Sequence, residues 1–162
     1  MADLTTLAAE LGALLKARGY MLALAESCTG GMVAEAITSV AGCSTWFDRG
    51  FVTYSNQAKI DMLGVSTQTL ETFGAVSEQI AVEMAFGALK HSQAHIAGSI
   101  TGIAGPDGGT ADKPVGTVCF AWAEINQPTI TLTKNFDGNR KKIRQQAATF
   151  LMRQLIEQLQ KR

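Results

Sequence analysis

Hydrophobic residues recur along this chain in two patterns that alternate. In the first they are spaced three or four residues apart, which is typical of amphipathic helices. In the second they form short runs rich in β-branched and aromatic residues, which is typical of strands. The first pattern predicts helices over residues 3–18, 32–42, 55–63, 77–90 and from residue 140 to the C-terminal end. The second pattern predicts strands over residues 21–25, 49–54, 95–100, 115–123 and 129–136.

This alternation of helices and strands favours an α/β fold with three layers, α/β/α, around a mixed, mostly parallel sheet. The last two predicted strands are separated by a short turn at residues 126–128, so we expect them to pair with each other. The length of 162 residues is ordinary for one domain, and the chain contains no internal repeat, linker or low-complexity segment. We therefore predict a single domain over residues 1–162.

Composition and charge argue against several classes of protein. Hydrophobic residues make up 46% of the chain and charged residues 17%, so the chain is not expected to be disordered. Lys+Arg and Asp+Glu number 14 each, which gives no electrostatic reason to expect a nucleic acid or a membrane surface as a partner. No apolar run approaches the roughly 18 residues that span a bilayer. Residues 1–12 lack the basic start of a secretion signal.

The cysteines and the metal-binding residue types indicate a cytoplasmic protein without a metal. Cys28, Cys43 and Cys119 are odd in number and lack the spacing of a metal site, so we interpret them as reduced thiols. The chain has no histidine pair or His-Glu-x-x-His motif, and it has few carboxylates near its polar loops. We therefore expect neither a metal nor a cofactor.

Three polar loops follow predicted strands at their carboxyl ends. They are residues 26–31, 54–59 and 101–109. In open α/β sheets the carboxyl ends of the strands line the crevice in which ligands bind, so we expect a pocket there. The first loop also opens a helix, and the free N–H groups and positive dipole of a helix start favour an anion. The candidate pocket residues are Thr29, Gly30, Gly31, Asn56, Thr101, Gly102, Ala104 and Gly105.

Elimination leaves a serine–lysine pair as the candidate for covalent chemistry. The two histidines, at positions 91 and 95, fall away from the predicted crevice, and the Gly-x-Ser-x-Gly, P-loop and Gly-x-Gly-x-x-Gly motifs are absent. Ser27 lies in the first loop, and Lys59, after the second strand, could serve as its base. Tyr54 could orient the pair or relay a proton. The alternatives are that Ser27 lies in an ordinary capped polar loop, that Lys59 is a surface lysine and that Tyr54 is an aromatic residue at the end of a strand.

The role of base makes a physical demand on Lys59. With an ordinary lysine pKa of ~10.4, only roughly one side chain in a thousand is neutral near pH 7.4. Burial against an apolar crevice wall lowers the pKa of a lysine and so supplies the neutral amine. Cys28, the neighbour of Ser27, is a minor alternative nucleophile.

Five sequence blocks occur in the order AESCTGG, RGFVTYSNQAK, GAVS, TGIAGPDGG and KPVGTV. Together they resemble the C-terminal domain of the competence/damage-inducible CinA family, from about Leu4 to the last helix. The resemblance implies hydrolysis of the carboxamide of nicotinamide mononucleotide to nicotinate mononucleotide and ammonia, in pyridine nucleotide salvage. It also implies catalytic roles for Ser27, Tyr54 and Lys59, and it matches the family's second loop to residues 101–106. The N-terminal domain of longer family members has no counterpart here, so none of its activity is expected.

The phosphate of such a substrate needs a positively charged partner. Residues 138–144, which open the last helix, contain four basic residues. A bound anion would offset the unfavourable interaction of these residues with the helix dipole. We therefore predict that Arg140 binds the phosphate, and we interpret Lys141 and Lys142 as solvated. The expected partner is this small molecule, self-association into a homo-oligomer is left open, and neither nucleic acid nor membrane is expected.

Two functions of other classes stay open at this point. One is a non-catalytic nucleotide-binding or regulatory module with the same loops. The other is an amidase that acts on a different small amide. An assay of ammonia release distinguishes a binding module from an enzyme. A comparison of the rates with nicotinamide mononucleotide and with free nicotinamide tests whether the enzyme acts on a different amide.

Overall fold

The computed structural model describes residues 3–161, which form six α-helices, one short 3₁₀ turn (Cys43–Thr45) and five strands. The predicted domain range of 1–162 includes three residues that lie outside this part. The helices are α1 Leu4–Arg18, α2 Met32–Thr38, α3 Asn56–Leu63, α4 Thr67–Phe73, α5 Glu78–Lys90 and α6 Arg140–Gln160. The strands are β1 Leu22–Glu26, β2 Phe47–Val52, β3 Ile96–Gly102, β4 Thr117–Glu124 and β5 Ile130–Asn135.

The five strands form one mixed sheet in the order β2-β1-β3-β4-β5. Strand β1 pairs in parallel with β2 on one side and with β3 on the other. Strand β4 is antiparallel to both β3 and β5, so four of these five strands run in one direction. The carboxyl ends of β2, β1 and β3 therefore lie side by side, as the predicted crevice requires.

Alternate residues of β1 enter different cores, because successive side chains of a strand point to opposite faces of the sheet. Leu22 and Leu24 belong to the core on the face covered by α1, α2 and α6. Ala23 and Ala25 belong to the core on the face covered by α5, against which α3 and α4 pack. The predicted arrangement of three layers around a mixed sheet is confirmed.

Helix α3 is held close to α5 by a glycine. A Cβ atom at Gly87 of α5 would lie 2.1 Å from the carbonyl oxygen of Leu63, the last residue of α3. Only a residue without a side chain permits this approach. Helix α3 carries Lys59, the predicted base, so this contact helps to set the position of that side chain.

Strand β2 begins and ends two residues before its predicted range of 49–54, and two helices also differ from the sequence-based expectation. Helix α4 has no predicted counterpart, because none of its residues is fully buried and its sequence lacks an apolar stripe; it begins where the Ser66 hydroxyl accepts a hydrogen bond from the Thr69 N–H. Helix α2 ends at Thr38 rather than near residue 42. The hydroxyls of Thr38 and Ser39 donate to carbonyls one turn back, at Ala34 and Ala36, and such bonds compete with continuation of a helix.

Candidate active site

The three predicted loops meet at the carboxyl edge of the sheet. The pairing of β1 with its two neighbours continues one residue beyond the strands. The Ser27 N–H, after β1, donates to the Ile100 carbonyl of β3 at 3.0 Å, and the Thr53 N–H, after β2, donates to the Glu26 carbonyl of β1 at 2.9 Å. A cleft of about 200 Å³ opens there. It is lined by Ser27, Cys28, Tyr54, Asn56, Lys59, Ala75, Val76, Thr101, Gly102, Ala104 and Arg140.

Ser27 and Lys59 are in direct contact at the bottom of this cleft. Lys59 Nζ lies 3.0 Å from Ser27 Oγ, and the two side chains belong to residues that are 7% (Ser27) and 1% (Lys59) exposed. The other two neighbours of Nζ are the carbonyl oxygens of Thr53, at 2.9 Å, and Tyr54, at 3.3 Å. The structure thus brings together the predicted nucleophile and the predicted base.

The position of Lys59 follows from the way α3 begins. The Ser55 side chain accepts a hydrogen bond from the Ala58 N–H at 3.0 Å and so caps the helix. Lys59 lies in the first turn of α3, immediately after the chain leaves β2. Its stem is therefore directed back across the end of the sheet rather than into solvent.

Burial acts on the ionisation of both candidate groups beside Ser27. Removal from water lowers the pKa of Lys59, and the nearby Cys28 thiol acts weakly in the opposite direction. Burial raises the pKa of the Cys28 thiol to about 11. Lys59 is therefore shifted towards the neutral amine, whereas Cys28 is held as the poorly nucleophilic neutral thiol.

The turn between β1 and α2 is fixed from inside by Glu26, which is 1% exposed. Its carboxylate accepts hydrogen bonds from the Thr29 hydroxyl at 2.7 Å and from the N–H groups of Val33, at 3.1 Å, and Ala34, at 2.9 Å. A carboxylate at these N–H groups also interacts favourably with the dipole of α2. The sequence predicted that the start of α2 favours an anion, and the carboxylate of Glu26 occupies that position.

The first-loop candidates are placed around the cleft rather than along its wall. Thr29 is buried, and its hydroxyl donates to Glu26. Gly30 and Gly31 have φ of 59° and 101°, which favours glycine and allows the chain to turn sharply from β1 into α2. None of these three residues lines the cleft.

The second loop contributes Thr101, Gly102 and Ala104 to the cleft wall. The Thr101 hydroxyl donates to the Ala75 carbonyl at 2.8 Å, which ties the segment before α5 to the end of β3. The backbone carbonyl of Gly105 accepts a hydrogen bond from Arg140 Nη1 at 2.7 Å. Gly105 therefore supports Arg140 and does not itself line the cleft.

Arg140 and Tyr54 stand together at the mouth of the cleft. Arg140 Nη2 lies 3.4 Å from Tyr54 Oη, and Tyr54 is 61% exposed. The exposed Asn56 lies beside them at the start of α3. These polar side chains can contact the outer part of a ligand whose reactive end reaches Ser27.

Arg144 is a residue of this site that the sequence reasoning left without a role. Its Nε donates to the Cys28 carbonyl at 3.0 Å, and its Nη2 donates to the Thr29 carbonyl at 3.1 Å. The available signal was its position four residues after Arg140, which places both side chains on one face of α6. Ala75 and Val76 were also missed, because nothing in the sequence places that segment beside the sheet edge.

The part of the chain covered by the structure contains no group of three or more His, Cys, Asp and Glu side chains that could hold a metal ion. A larger groove of about 390 Å³ lies next to the cleft and shares Val76 with it. In this groove the Thr133 hydroxyl donates to the Glu78 carboxylate at 2.6 Å, but that pair is exposed, unlike the buried contact of Ser27 with Lys59. The contact between Ser27 and Lys59 therefore identifies the smaller cleft as the candidate active site.

Fold and site together define a three-layer α/β protein with a buried serine–lysine pair at the carboxyl edge of its sheet. The chain belongs to the CinA C-terminal domain family, whose model matches residues 4–159. It is 54% identical over 152 residues to the nicotinamide-nucleotide amidohydrolase PncC of Enterobacter agglomerans, an alignment that covers 94% of this chain and 93% of that protein. It is 53% identical over 156 residues to the protein of the same name from Escherichia coli K12, covering 96% and 94%.

A solved structure gives the same picture. The crystal structure of the competence/damage inducible protein CihA from Agrobacterium tumefaciens matches with a TM-score of 0.93 at 47% identity, covering 97% of this chain and 96% of that one. The predicted family and the predicted fold class are confirmed. The predicted class of enzyme, a hydrolase acting on an amide, agrees with the names of both PncC relatives.

Proposed function

We propose that this protein hydrolyses the carboxamide of nicotinamide mononucleotide, giving nicotinate mononucleotide and ammonia, with Ser27 as nucleophile and Lys59 as base. The observation that carries the mechanism is the buried 3.0 Å contact between Lys59 Nζ and Ser27 Oγ. The substrate is taken from the names of the PncC relatives, which specify a nicotinamide nucleotide. Its place in pyridine nucleotide salvage is part of the same proposal.

The neighbours of Lys59 suit a neutral amine. A neutral amine has two N–H donors and one lone pair, and the carbonyls of Thr53 and Tyr54 accept the two donors. In the structure Lys59 Nζ donates to Ser27 Oγ, and the Ser27 hydroxyl donates to the Tyr54 carbonyl at 3.4 Å. When Lys59 is neutral and the Ser27 hydroxyl rotates towards it, the amine lone pair takes the proton of Ser27 as the oxygen attacks the carboxamide carbon. Desolvation, which lowers the pKa of Lys59, favours this state of the pair.

The tetrahedral intermediate carries a negative oxygen that needs N–H donors. The Ser27 N–H is already bonded to the Ile100 carbonyl, so it is not available for this purpose. The Cys28 N–H faces the thiol of its own residue, and the Thr29 N–H makes no hydrogen bond within residues 3–161. We assign them as the candidate donors, Cys28 from the wall of the cleft and Thr29 from the adjoining position of the turn, which is not part of that wall, because preorganised backbone N–H groups stabilise such an oxyanion strongly.

The proton on Lys59 then completes the first half of the reaction. It passes to the amide nitrogen as the carbon–nitrogen bond breaks, so ammonia leaves and an ester of Ser27 remains. Water attacks this ester, Lys59 again accepts a proton, and the same proton returns to Ser27 Oγ as the acyl group departs as nicotinate mononucleotide. Each cycle consumes one water and regenerates both side chains.

Arg140 is assigned to the phosphate of the substrate. Nη1 is held by the Gly105 carbonyl, which orients the guanidinium, and the remaining donors face the open mouth of the cleft beside Tyr54. Asn56, Gly102 and Ala104 then contact the ribose and ring, and Thr29, Gly30, Gly31, Thr101 and Gly105 shape the two loops. Tyr54 orients the substrate or relays a proton at this mouth.

We further propose a cytoplasmic location, one domain over residues 1–162 and no nucleic-acid partner; the proposal is compatible with either a monomer or a homo-oligomer. Among residues 3–161, no helix combines the length and apolar character needed to cross a bilayer.

The experiment that tests the function measures two products from the purified protein. Ammonia and nicotinate mononucleotide are expected in equal amounts from nicotinamide mononucleotide, and Ser27→Ala is expected to abolish both. Folded wild-type protein that binds the nucleotide without releasing ammonia would identify a binding module instead. Faster turnover of another small amide would replace the substrate while keeping the chemistry.

A further inference from the structure

We propose that Arg144 is a positioning residue for hydrolysis: its guanidinium holds the Cys28–Thr29 and Thr29–Gly30 peptide groups, in the turn after Ser27, in the orientation the reaction uses. This inference rests on the proposed function, since it requires Ser27 to be the nucleophile. Arg144 lies on α6, more than a hundred residues along the chain from the turn that it contacts. The turn therefore depends on a distant element for its shape.

The two hydrogen bonds of Arg144 go to successive carbonyls. Nε donates to Cys28 at 3.0 Å and Nη2 to Thr29 at 3.1 Å. The planar fork of a guanidinium can bridge two acceptors at once, which the single nitrogen of a lysine does not reproduce. Gly30 lies within the same contact, since a Cβ there would be 3.5 Å from Nη2.

These contacts fix the direction of the N–H groups in the turn. In a trans peptide the carbonyl and the N–H of the next residue point in opposite directions. Holding the Cys28 carbonyl on the side of α6 therefore directs the Thr29 N–H away from Arg144, and this is one of the two candidate oxyanion donors. Holding the Thr29 carbonyl likewise directs the Gly30 N–H, which donates to the Ser27 carbonyl at 3.0 Å and closes the turn.

Arg144 contacts backbone carbonyls of the turn after Ser27 rather than a carboxylate. Arg144 takes part in neither of the ion pairs that join Arg49 to Asp48 and Lys161 to Glu157. Its side chain is half-buried, and it donates hydrogen bonds to the carbonyls of Cys28 and Thr29 in the turn after Ser27. Glu26 holds the same turn from the other side, through the Thr29 hydroxyl.

Substitutions of Arg140 and Arg144, which lie on the same face of α6, are expected to change different kinetic constants. Arg140, at the mouth of the cleft, is assigned to substrate binding, so its loss raises KM. Arg144 contacts the backbone beneath the nucleophile, so its loss lowers kcat and leaves KM nearly unchanged. Removing one oxyanion donor costs roughly 10²–10³ in kcat, and a donor that is only misdirected costs less, so we expect a fall of about 10- to 100-fold.

The test compares kcat and KM for nicotinamide mononucleotide in Arg144→Ala, Arg144→Lys and Arg153→Ala. Arg153 is exposed on the same helix and serves as the matched control, with kinetics like those of the wild type. Both Arg144 variants are expected to lose kcat, and Arg144→Lys keeps the charge in case Arg144→Ala does not fold. Guanidinium at millimolar concentration should restore part of the kcat of Arg144→Ala, and ammonium at equal ionic strength should not.

Other outcomes would overturn the inference. A rise of KM with unchanged kcat would make Arg144 a binding residue, and wild-type kcat in a folded Arg144→Lys would remove its role in the turn. A wild-type protein that does not hydrolyse the nucleotide, or a fully active Ser27→Ala, would instead count against the proposed function. Wild-type activity that depends on Ser27 but not on Arg144 would refute this inference alone.

Discussion

The rate of hydrolysis should rise with pH, and the ascending limb of the pH–rate profile should report the ionisation of Lys59. The proposed base works only as the neutral amine, so below its pKa each unit of pH lowers kcat/KM about tenfold. Burial lowers that pKa from its ordinary value, and the structure offers no carboxylate partner for Lys59 in the described chain that would oppose the shift. The limb should therefore level off below the ordinary lysine range, whose pKa is ~10.4.

The stability of the protein should report the same shift. A lysine whose pKa is lowered by folding binds its proton less tightly in the folded state than in the unfolded state. Unfolding then takes up a proton between the two pKa values, so the free energy of unfolding rises as pH increases through that window. For each unit by which burial lowers the pKa of Lys59, the free energy of unfolding rises by about 1.4 kcal/mol as pH increases across this window. The Lys59→Met variant lacks this rise.

Two titrations test this prediction. Release of ammonia is followed between pH 6 and 10 for the wild type and for Tyr54→Phe, which keeps Lys59 and should keep the limb. Urea unfolding of the wild type and of Lys59→Met is measured over the same pH range. The free energy of unfolding of the wild type, relative to that of Lys59→Met, should increase as pH rises. A rate independent of pH, or a limb that levels off only at the ordinary lysine pKa, would refute the reasoning.

Three further predictions concern single residues. Gly87→Ala places a methyl group against the Leu63 carbonyl, so we expect about 1–3 kcal/mol of destabilisation in urea unfolding and reduced kcat through displacement of α3; an unchanged protein would contradict the packing argument. Arg140→Gln should raise KM for nicotinamide mononucleotide but not for nicotinamide riboside, and equal effects on both would remove the phosphate assignment. Cys28→Ser should keep kcat within about threefold, because a thiol with a pKa near 11 is not the nucleophile; its inactivity would reopen that alternative.

The sequence allowed the fold to be predicted wherever apolar spacing was strong. Strand β1 and helices α1, α5 and α6 bury regular apolar positions, and each was expected close to its observed bounds. Helix α4 buries no residue fully, so its sequence carries no periodic signal. The end of α2 was missed because it depends on hydroxyl–carbonyl bonds rather than on apolar spacing.

The candidate site was predictable in part because Ser27 and Tyr54 lie in loops at strand ends and Lys59 lies in the first turn of the helix that follows. Tyr54 and Lys59 are close in sequence, and parallel pairing of β1 with β2 brings both into one cleft with Ser27. The contacts of Arg144 and of the segment at Ala75 join residues far apart in the chain. Such pairings depend on how α6 and α5 pack against the sheet, which no local pattern specifies.

The central claim is that Ser27 and Lys59 act as one unit, and a double-mutant cycle in kcat tests it most directly. Ser27→Ala, Lys59→Ala and the double variant should share one very low kcat while each remains folded, because either loss already removes the activated nucleophile. Lys59→Arg should not restore activity, since a guanidinium does not become a neutral base at usable pH. Single effects that add in the double variant would contradict the account, because they would show that the two residues do separate work.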